Sequence, residues 1–293
     1  MNLRDLQYLV ALAETRHFGR AAQRCHVSQP TLSAQVKKLE EFLGVTLVER
    51  RPRRLALTAA GEAVVERARR MLQDADDIRS LARASQNPLS GQLKVGFIPT
   101  LGPYLLPRIA TRLARALPKL QLMLHEYQTA PLVDRVVKGE LDLAILALPA
   151  DTKGLQTRSL FGEAFLIAMP EKHRLATRRR LKAADLEGEK LLLLEEGHCL
   201  RDQALEVCAH VGTDEQNFRA TSLETLRQMV AAGLGITLLP RLAAEGPFAS
   251  ARGMVVRPFA PPQPARLIGA AWRRSTLRAD AIAAVCDVIG RLA

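Results

Sequence analysis

The stretch AAQRCHVSQPTLSAQVKKLEEFLGVTLVERRPRRLALTAAG, residues 21–61, decides the fold of the first part of the chain. Ser28 has the side chain of an N-cap, Pro30 is tolerated in a first helical turn, and Leu32, Val36, Leu39 and Leu43 recur at intervals of 4, 3 and 4 before Gly44. This pattern predicts one helix with a single apolar stripe turned inward. At about 100° per residue, its opposite side carries Pro30, Thr31, Ser33, Ala34, Lys37 and Lys38. Small groups allow close approach, hydroxyls reach base edges or phosphates, and lysines with no carboxylate among them neutralise backbone charge, so the face suits a DNA major groove. An ordinary solvated helix face would read much the same, and the flanks decide between the two.

Upstream, Asn2 can cap a helix in which Leu3, Leu6, Leu9, Val10 and Ala13 keep helical spacing, and a second short helix fits Gly19 to Arg24. Downstream, Val45 to Glu49 and Leu55 to Leu57 read as two short strands joined by a turn holding Arg50, Arg51, Pro52, Arg53 and Arg54. Helix, turn, helix and then a basic wing able to reach a neighbouring minor groove is a DNA-binding order. These residues resemble the winged helix-turn-helix of the LysR family of bacterial transcription regulators. The likeness rests on Ala21-Ala22, on Ser28-Gln29 opening the third helix, on Leu39-Glu40 near its end, and on Leu57-Thr58 followed by Gly61. It implies DNA contacts from Ser28, Gln29, Pro30, Thr31, Ser33 and Lys37 on the helix and from Arg50, Arg51 and Arg53 on the wing.

Beyond residue 61, Val64, Ala68, Met71, Ala75, Ile78 and Ala82 alternate at intervals of 4 and 3 among charged neighbours such as Arg67, Arg70, Asp74 and Asp77. A stripe so narrow predicts a short coiled-coil seam that pairs two chains. Asn87-Pro88 and Ser90-Gly91 stop the helix. Three segments follow: a DNA-binding domain at 1–61, a linker and dimerisation helix at 62–88, and a regulatory domain at 89–293.

In the last segment, strand-like runs (Leu93 to Ile98, Gln121 to Tyr127, Leu141 to Leu148) alternate with helix-like ones (Tyr104 to Leu117, Leu132 to Lys138). The alternation returns with Leu191 to Leu194, a helix to Ala209, Phe218 to Thr221, a helix from Glu224 to Ala232, and Ile236 to Leu239. Continuous apolar strands between amphipathic helices predict a mainly parallel sheet covered on both faces, in two α/β subdomains. The layout resembles the effector domain of LysR-type regulators, itself similar to periplasmic binding proteins, with the chain crossing between subdomains near Leu160 to Ile167 and returning near Arg266 to Trp272.

Composition bounds the rest. The chain of 293 residues carries 42 Lys+Arg against 30 Asp+Glu, a formal charge of +12, and residues 1–61 alone hold ten basic against five acidic side chains. With 48% hydrophobic and 25% charged residues, a folded protein of two domains is expected, not disorder or a disulfide-stapled mini-domain. The second basic cluster, Arg174, Arg178, Arg179, Arg180 and Lys182, lies between a strand-like run and a turn and reads as a solvated loop. Asp5 and Glu14 break any signal-peptide pattern and no apolar run approaches the roughly 18 residues of a span, so a cytoplasmic protein is expected.

Of the four cysteines, Cys25 and Cys286 read as packing residues, whereas LLLLEEGHCLRDQALEVC, residues 191–208, carries chemistry. Gly197 ends a strand, and a helix beginning near Cys199 places that thiol where unpaired N–H groups and the helix dipole favour thiolate. His198 and Arg201 could add positive charge or hydrogen bonds, against Glu195 and Glu196. An unbroken helix holds Cys199 and Cys208 about 13.5 Å apart along its axis, beyond the roughly 7 Å between Cα atoms that a disulfide tolerates. A bridge between them therefore requires the helix to unwind, coupling oxidation to refolding. No Cys-x-x-Cys or matching His pair suggests a metal, and no cofactor is expected.

This run, with GFIPTLGPYLLP, HEYQTAPL and TSLETLRQMVAAGLGITLLP, resembles the peroxide-sensing members of the LysR family. The resemblance implies that Cys199 is the peroxidatic and Cys208 the resolving cysteine, that Thr100, Thr129 and His198 orient hydrogen peroxide, and that Arg266 stabilises the thiolate or the leaving oxygen. It also implies a dimer of dimers on promoter DNA of antioxidant genes, RNA polymerase as partner, and re-reduction by glutaredoxin or thioredoxin. A LysR-type regulator of a metabolite, with incidental cysteines, would respond to peroxide unchanged after Cys199→Ser. A thiol peroxidase would turn over rapidly and have no use for Ser28 to Lys38, and a solute-binding protein would need an export signal.

Overall fold

The computed structural model describes residues 1–51, 54–84, 87–208, 214–245 and 252–291, and of residues 50, 51, 54, 77, 79–84 and 214–218 the backbone alone. The chain forms two compact units, Met1–Arg83 and Ala84–Ala293.

The first unit opens with α1 (Leu3–Thr15), α2 (Phe18–Arg24) and α3 (Gln29–Leu43). Asn2 and Asp5 cap α1 reciprocally, and Ser28 Oγ accepts the Thr31 N–H at 3.3 Å to start α3. Gly44 ends α3 at φ 69°, a left-handed conformation that favours glycine. Leu32, Val36 and Leu39 are buried against Leu9, Leu12 and Ala21 of the first two helices, each contributing about 1.5–3 kcal/mol of burial.

The wing follows as β1 (Val48–Arg51) and β2 (Arg54–Leu57), paired antiparallel with Arg51 opposite Arg54. Its first strand begins three residues later than the sequence pattern suggests. The Glu40 carboxylate explains this: Oε1 accepts from the N–H groups of Leu47 and Val48 at 2.7 and 3.0 Å, holding the chain between α3 and the ladder. The last helix, α4 (Ala59–Ala84), also begins earlier than residue 62. Thr58 sets that start, since its Oγ1 accepts the Gly61 N–H at 2.9 Å and donates to the Thr46 carbonyl at 2.7 Å.

Gly61 lets α4 lie against the backbone of Leu47. A Cβ there would stand 2.1 Å from the Leu47 carbonyl oxygen, which is backbone and cannot swing aside. Glycine to alanine inside a helix ordinarily stabilises by about 0.5–1 kcal/mol. Here the sign reverses: Gly61→Ala is expected to destabilise the first unit by about 1–3 kcal/mol, read as a lower urea midpoint of that unit. An unchanged or raised midpoint would contradict the close approach.

In the second unit, β3 (Gly91–Phe97) pairs in parallel with β4 (Leu120–Glu126) and β5 (Leu143–Leu148). Helices α5 (Gly102–Ala116) and α6 (Thr129–Val137) connect them. The 15-residue β6 (Gln156–Pro170) then leaves this sheet for a second one, where it pairs antiparallel with β9 (Thr237–Pro240) and β10 (Met254–Pro258). The chain returns along β11 (Ala265–Trp272), which lies between β5 and β6 and is antiparallel to both. The expected mainly parallel sheet is thus corrected to a mixed one. An outgoing and a returning segment lying side by side must run in opposite directions, and the alternation of apolar runs does not reveal it.

The second subdomain is completed by the parallel pair β7 (Lys190–Leu194) and β8 (Asp214–Ala220), with α7 (Cys199–Cys208) between them, then α8 (Leu223–Ala231) and α9 (Arg241–Ala244). The final helix, α10 (Ala279–Gly290), packs back on the first subdomain, where Ile282 and Cys286 are buried. Each subdomain has its own core, one around Phe97, Ile98, Leu105, Ile145 and Ile268, the other around Phe165, Leu191, Leu193, Leu226 and Phe259. Among the described residues no helix is long and apolar enough to cross a membrane.

Candidate thiol site and nucleic-acid interface

The site is built where β7 ends. Leu191 to Leu194 are buried in the second core, the chain turns through Gly197 at φ 94°, and Cys199 is the first residue of α7. Leu200, Ala204 and Cys208, spaced by four, face the second core. Cys199 instead is half-buried and packs against the first core. Its thiol therefore lies where the two subdomains meet, at the open end of a helix.

A side chain from across the cleft closes over the turn before it. Gln128 Nε2 donates to Glu195 Oε1 at 3.4 Å, and a Cβ on Gly197 would fall 2.6 Å from Gln128 Oε1. The left-handed φ favours glycine here, and a Cβ would in addition displace the Gln128 amide from Glu195. His198 is 5% exposed, its Nε2 lies 4.0 Å from Glu195 Oε1, and its ring hydrogen-bonds the Thr221 carbonyl. Burial outweighs these two favourable partners and lowers its pKa below the ordinary 6.5. Of the two contributions open to His198, positive charge or a hydrogen bond, burial favours the hydrogen bond at neutral pH.

This depression has a sign in stability. The unfolded chain takes up a proton at His198 near pH 6.5 and the folded chain does not, so the stabilisation is complete above that pH and is lost as pH falls through the depressed folded value. Unfolding of wild type and His198→Gln is expected to show a stability difference that narrows from pH 7.5 to pH 5. A difference that widens on acidification would mean that His198 is held protonated.

Next to Gln128, Thr129 Oγ1 is buried with no hydrogen-bond partner among the described residues, a group that can receive a small polar molecule. Thr100 behaves differently. It does not cap α5, whose N-cap position is Leu101 without a side-chain bond. Its Oγ1 and carbonyl accept from Arg266 Nη1 and Nη2 at 2.9 and 3.0 Å, and Arg266 Nε donates to Glu163 Oε2 at 2.8 Å. The candidate residues thus fall into two clusters. Gln128, from the residue before α6, meets Glu195 and His198 of the turn before Cys199, while Glu163 and Arg266 stand on the crossover strands and hold Thr100, in the turn after β3. Gln128 and Glu163 are additions to the residues read from sequence. For Glu163 the available signal was a lone acid in an otherwise apolar run.

Cys208 ends α7, and burial pushes its thiol up to about 11. It is a protonated core residue as long as the helix is intact. Burial likewise raises the thiol of Cys286 to about 11 and that of half-buried Cys25 upward. Among the described residues no group of three His, Cys, Asp or Glu could hold a metal ion.

On α3, Gln29, Pro30, Thr31, Ala34, Lys37 and Lys38 are exposed and Ser33 is half-buried, forming one face opposite the core. The exposed Ser28 places its hydroxyl 2.7 Å from that of Thr31. Lys37 Nζ also approaches Glu41 at 3.8 Å, one helical turn on. Arg53 lies outside the described residues, as do the side chains of Arg50 and Arg51. Along α4, Val65 and Ala68 are buried in the first unit, whereas Met71 and Ile78 are 45% and 65% exposed; the Ala82 side chain lies outside the described residues.

Residues 3–62 match the family described as bacterial regulatory helix-turn-helix protein, lysR family, and residues 86–293 match the LysR substrate binding domain. The chain is 52% identical over 274 residues to the DNA-binding transcriptional dual regulator OxyR of Escherichia coli K12, covering 93% of this chain and 90% of that one. Its fold resembles a full-length OxyR variant from Pseudomonas aeruginosa, with TM-score 0.75, 44% identity, and 99% and 94% of the two chains covered. It also resembles a crystal structure of the oxidized form of OxyR, with TM-score 0.63, 46% identity, and 70% and 97% covered. A reading helix at one end, two α/β subdomains at the other and both family matches in that order leave one assignment: the chain belongs to the LysR family of bacterial regulators.

Proposed function

We propose that this protein is a hydrogen-peroxide-responsive transcription regulator of antioxidant genes, switched by a reversible disulfide between Cys199 and Cys208. The observation that carries the reading is the placement of the pair. Cys199 is half-buried at the contact of two subdomains, and Cys208 is sealed in a core at the far end of the same ten-residue helix. The similarity to OxyR, one of whose structures is an oxidized form, supports the same conclusion.

In the chemistry, the Cys199 thiolate attacks one peroxide oxygen, the O–O bond breaks, and the departing hydroxide takes a proton, leaving a sulfenic acid. Neutral His198 and the hydroxyls of Thr129 and Thr100 are the hydrogen-bonding groups for peroxide in this reading. Once α7 opens, Cys208 attacks the sulfenic sulfur; the S–S bond forms as the S–O bond breaks, and the departing hydroxide takes the proton given up by Cys208 and leaves as water. Resetting takes two electrons from an external dithiol, the task of a glutaredoxin or thioredoxin. The α3 face and the wing bind promoter DNA. The open Met71 and Ile78 side of α4 pairs chains into a dimer of dimers, and RNA polymerase is the downstream partner.

Mass spectrometry of the peroxide-treated, thiol-blocked protein tests this directly. A peptide linking Cys199 to Cys208 is the expected result; peroxide treatment that leaves both thiols open to alkylation would refute the switch.

A further inference from the structure

Three elements, β6, β11 and α9, meet at one buried carboxylate. Glu163 on β6 and Arg266 on β11 are direct partners in the strand register, and each is 3% exposed. Glu163 Oε2 accepts from Arg266 Nε at 2.8 Å, and Oε1 accepts the N–H of Leu242, in the first turn of α9, at 2.9 Å. Leu242 packs against both cores. Arg266 then passes the constraint to Thr100, gripping its hydroxyl and its carbonyl together. A buried ion pair is seldom more stabilising than apolar residues of the same size, so stability alone is a poor reason for this one. Its geometry supplies a better reason.

A hydroxyl has one proton and two lone pairs, and an arginine can only donate. With Arg266 Nη1 filling a lone pair of Thr100 Oγ1, the threonine proton must point elsewhere. Thr100 thereby has its proton directed away from Arg266 and available to donate, which is the polarity needed by an oxygen that leaves as hydroxide. We propose that Glu163 is a positioning residue for the oxidation of Cys199: by fixing Arg266 it keeps the Thr100 hydroxyl oriented to donate toward the departing peroxide oxygen. This rests on the peroxide-sensing reading above and adds to it a residue that touches neither thiol nor peroxide.

The test compares two rates in the full-length protein: Cys199 oxidation by hydrogen peroxide and Cys199 alkylation by iodoacetamide, whose leaving iodide needs no such donor. Glu163→Gln is expected to slow peroxide oxidation by about 100-fold, the loss typical when one donor to a developing negative oxygen is removed, with alkylation within about twofold of wild type. Since Glu163→Gln strands a buried arginine charge and can misfold, Glu163→Asp, which keeps the charge but shortens the reach to Arg266, provides the second measurement, with a smaller loss of the same selective kind expected. Peroxide rates equal to wild type in the folded variants, or equal falls in both rates, would overturn the positioning role while leaving the switch intact. A wild-type rate no faster than that of a free cysteine would overturn the switch itself, and this role with it.

Discussion

Cys199→Ser is expected to abolish the peroxide response altogether: no oxygen added at residue 199, no cross-link to Cys208, and identical DNA contacts before and after treatment. Serine keeps the size of the side chain and its place at the start of α7, so the fold and the affinity of the reduced protein for DNA should be unaffected. What it removes is a nucleophile, because a hydroxyl oxygen is a far weaker nucleophile toward peroxide than a cysteine sulfur. Cys208→Ser should separate the two steps, adding one oxygen at Cys199 and stopping there. The physical signature of the second step is helix opening. Leu200, Ala204 and Cys208 share one buried face of α7, so a bond that brings the ends of the helix together must withdraw that face from the core. Hydrogen exchange across residues 199–208 is therefore expected to accelerate on oxidation of wild type and to stay unchanged in both variants. A full response to peroxide in Cys199→Ser would eliminate the thiol switch and favour a cleft ligand as the signal.

What could be read in advance was local. Ser28, the stripe Leu32, Val36 and Leu39, and Gly44 define α3 because capping, helical period and left-handed φ are each decided within a few residues. Cys199 was visible for the same reason, as the first residue after a glycine turn. The features missed or left open depend on distant partners. Glu163 gains its meaning from Arg266, 103 residues away, and from Leu242, 79 away. His198 offers either a charge or a hydrogen bond in the sequence, and only the packing that buries it favours the second. Glu40 was noted as part of a motif, but its reason, two backbone N–H groups seven and eight residues on, needed the wing to be folded against it. The mixed sheet belongs with these, since strand direction follows from the order of β5, β11 and β6 and not from their composition.

The other large effect is expected at the wing. Replacing Arg50, Arg51 and Arg53 together by alanine removes three of the ten basic side chains in residues 1–61, where a charge excess sits on a small surface. Each phosphate contact contributes about 0.9 to the slope of log affinity against log salt, so losing three flattens that slope by up to about 2.7. Over a fourfold rise in salt the variant should lose about 40-fold less affinity than wild type, while binding more weakly at low salt. The α3 face should respond differently. Gln29→Ala or Thr31→Ala lies on an exposed surface opposite the core, so each is expected to relax the preference at one base pair by about 1–3 kcal/mol with little change in slope. The two signatures are independent, because counterion release is indifferent to base sequence and base-edge hydrogen bonds are nearly indifferent to salt. Measuring affinity against salt for one operator and one scrambled duplex resolves them. A triple wing variant with the wild-type slope would place those arginines off the DNA, and the charge excess of the N-terminal unit would then be no more than a solvated surface.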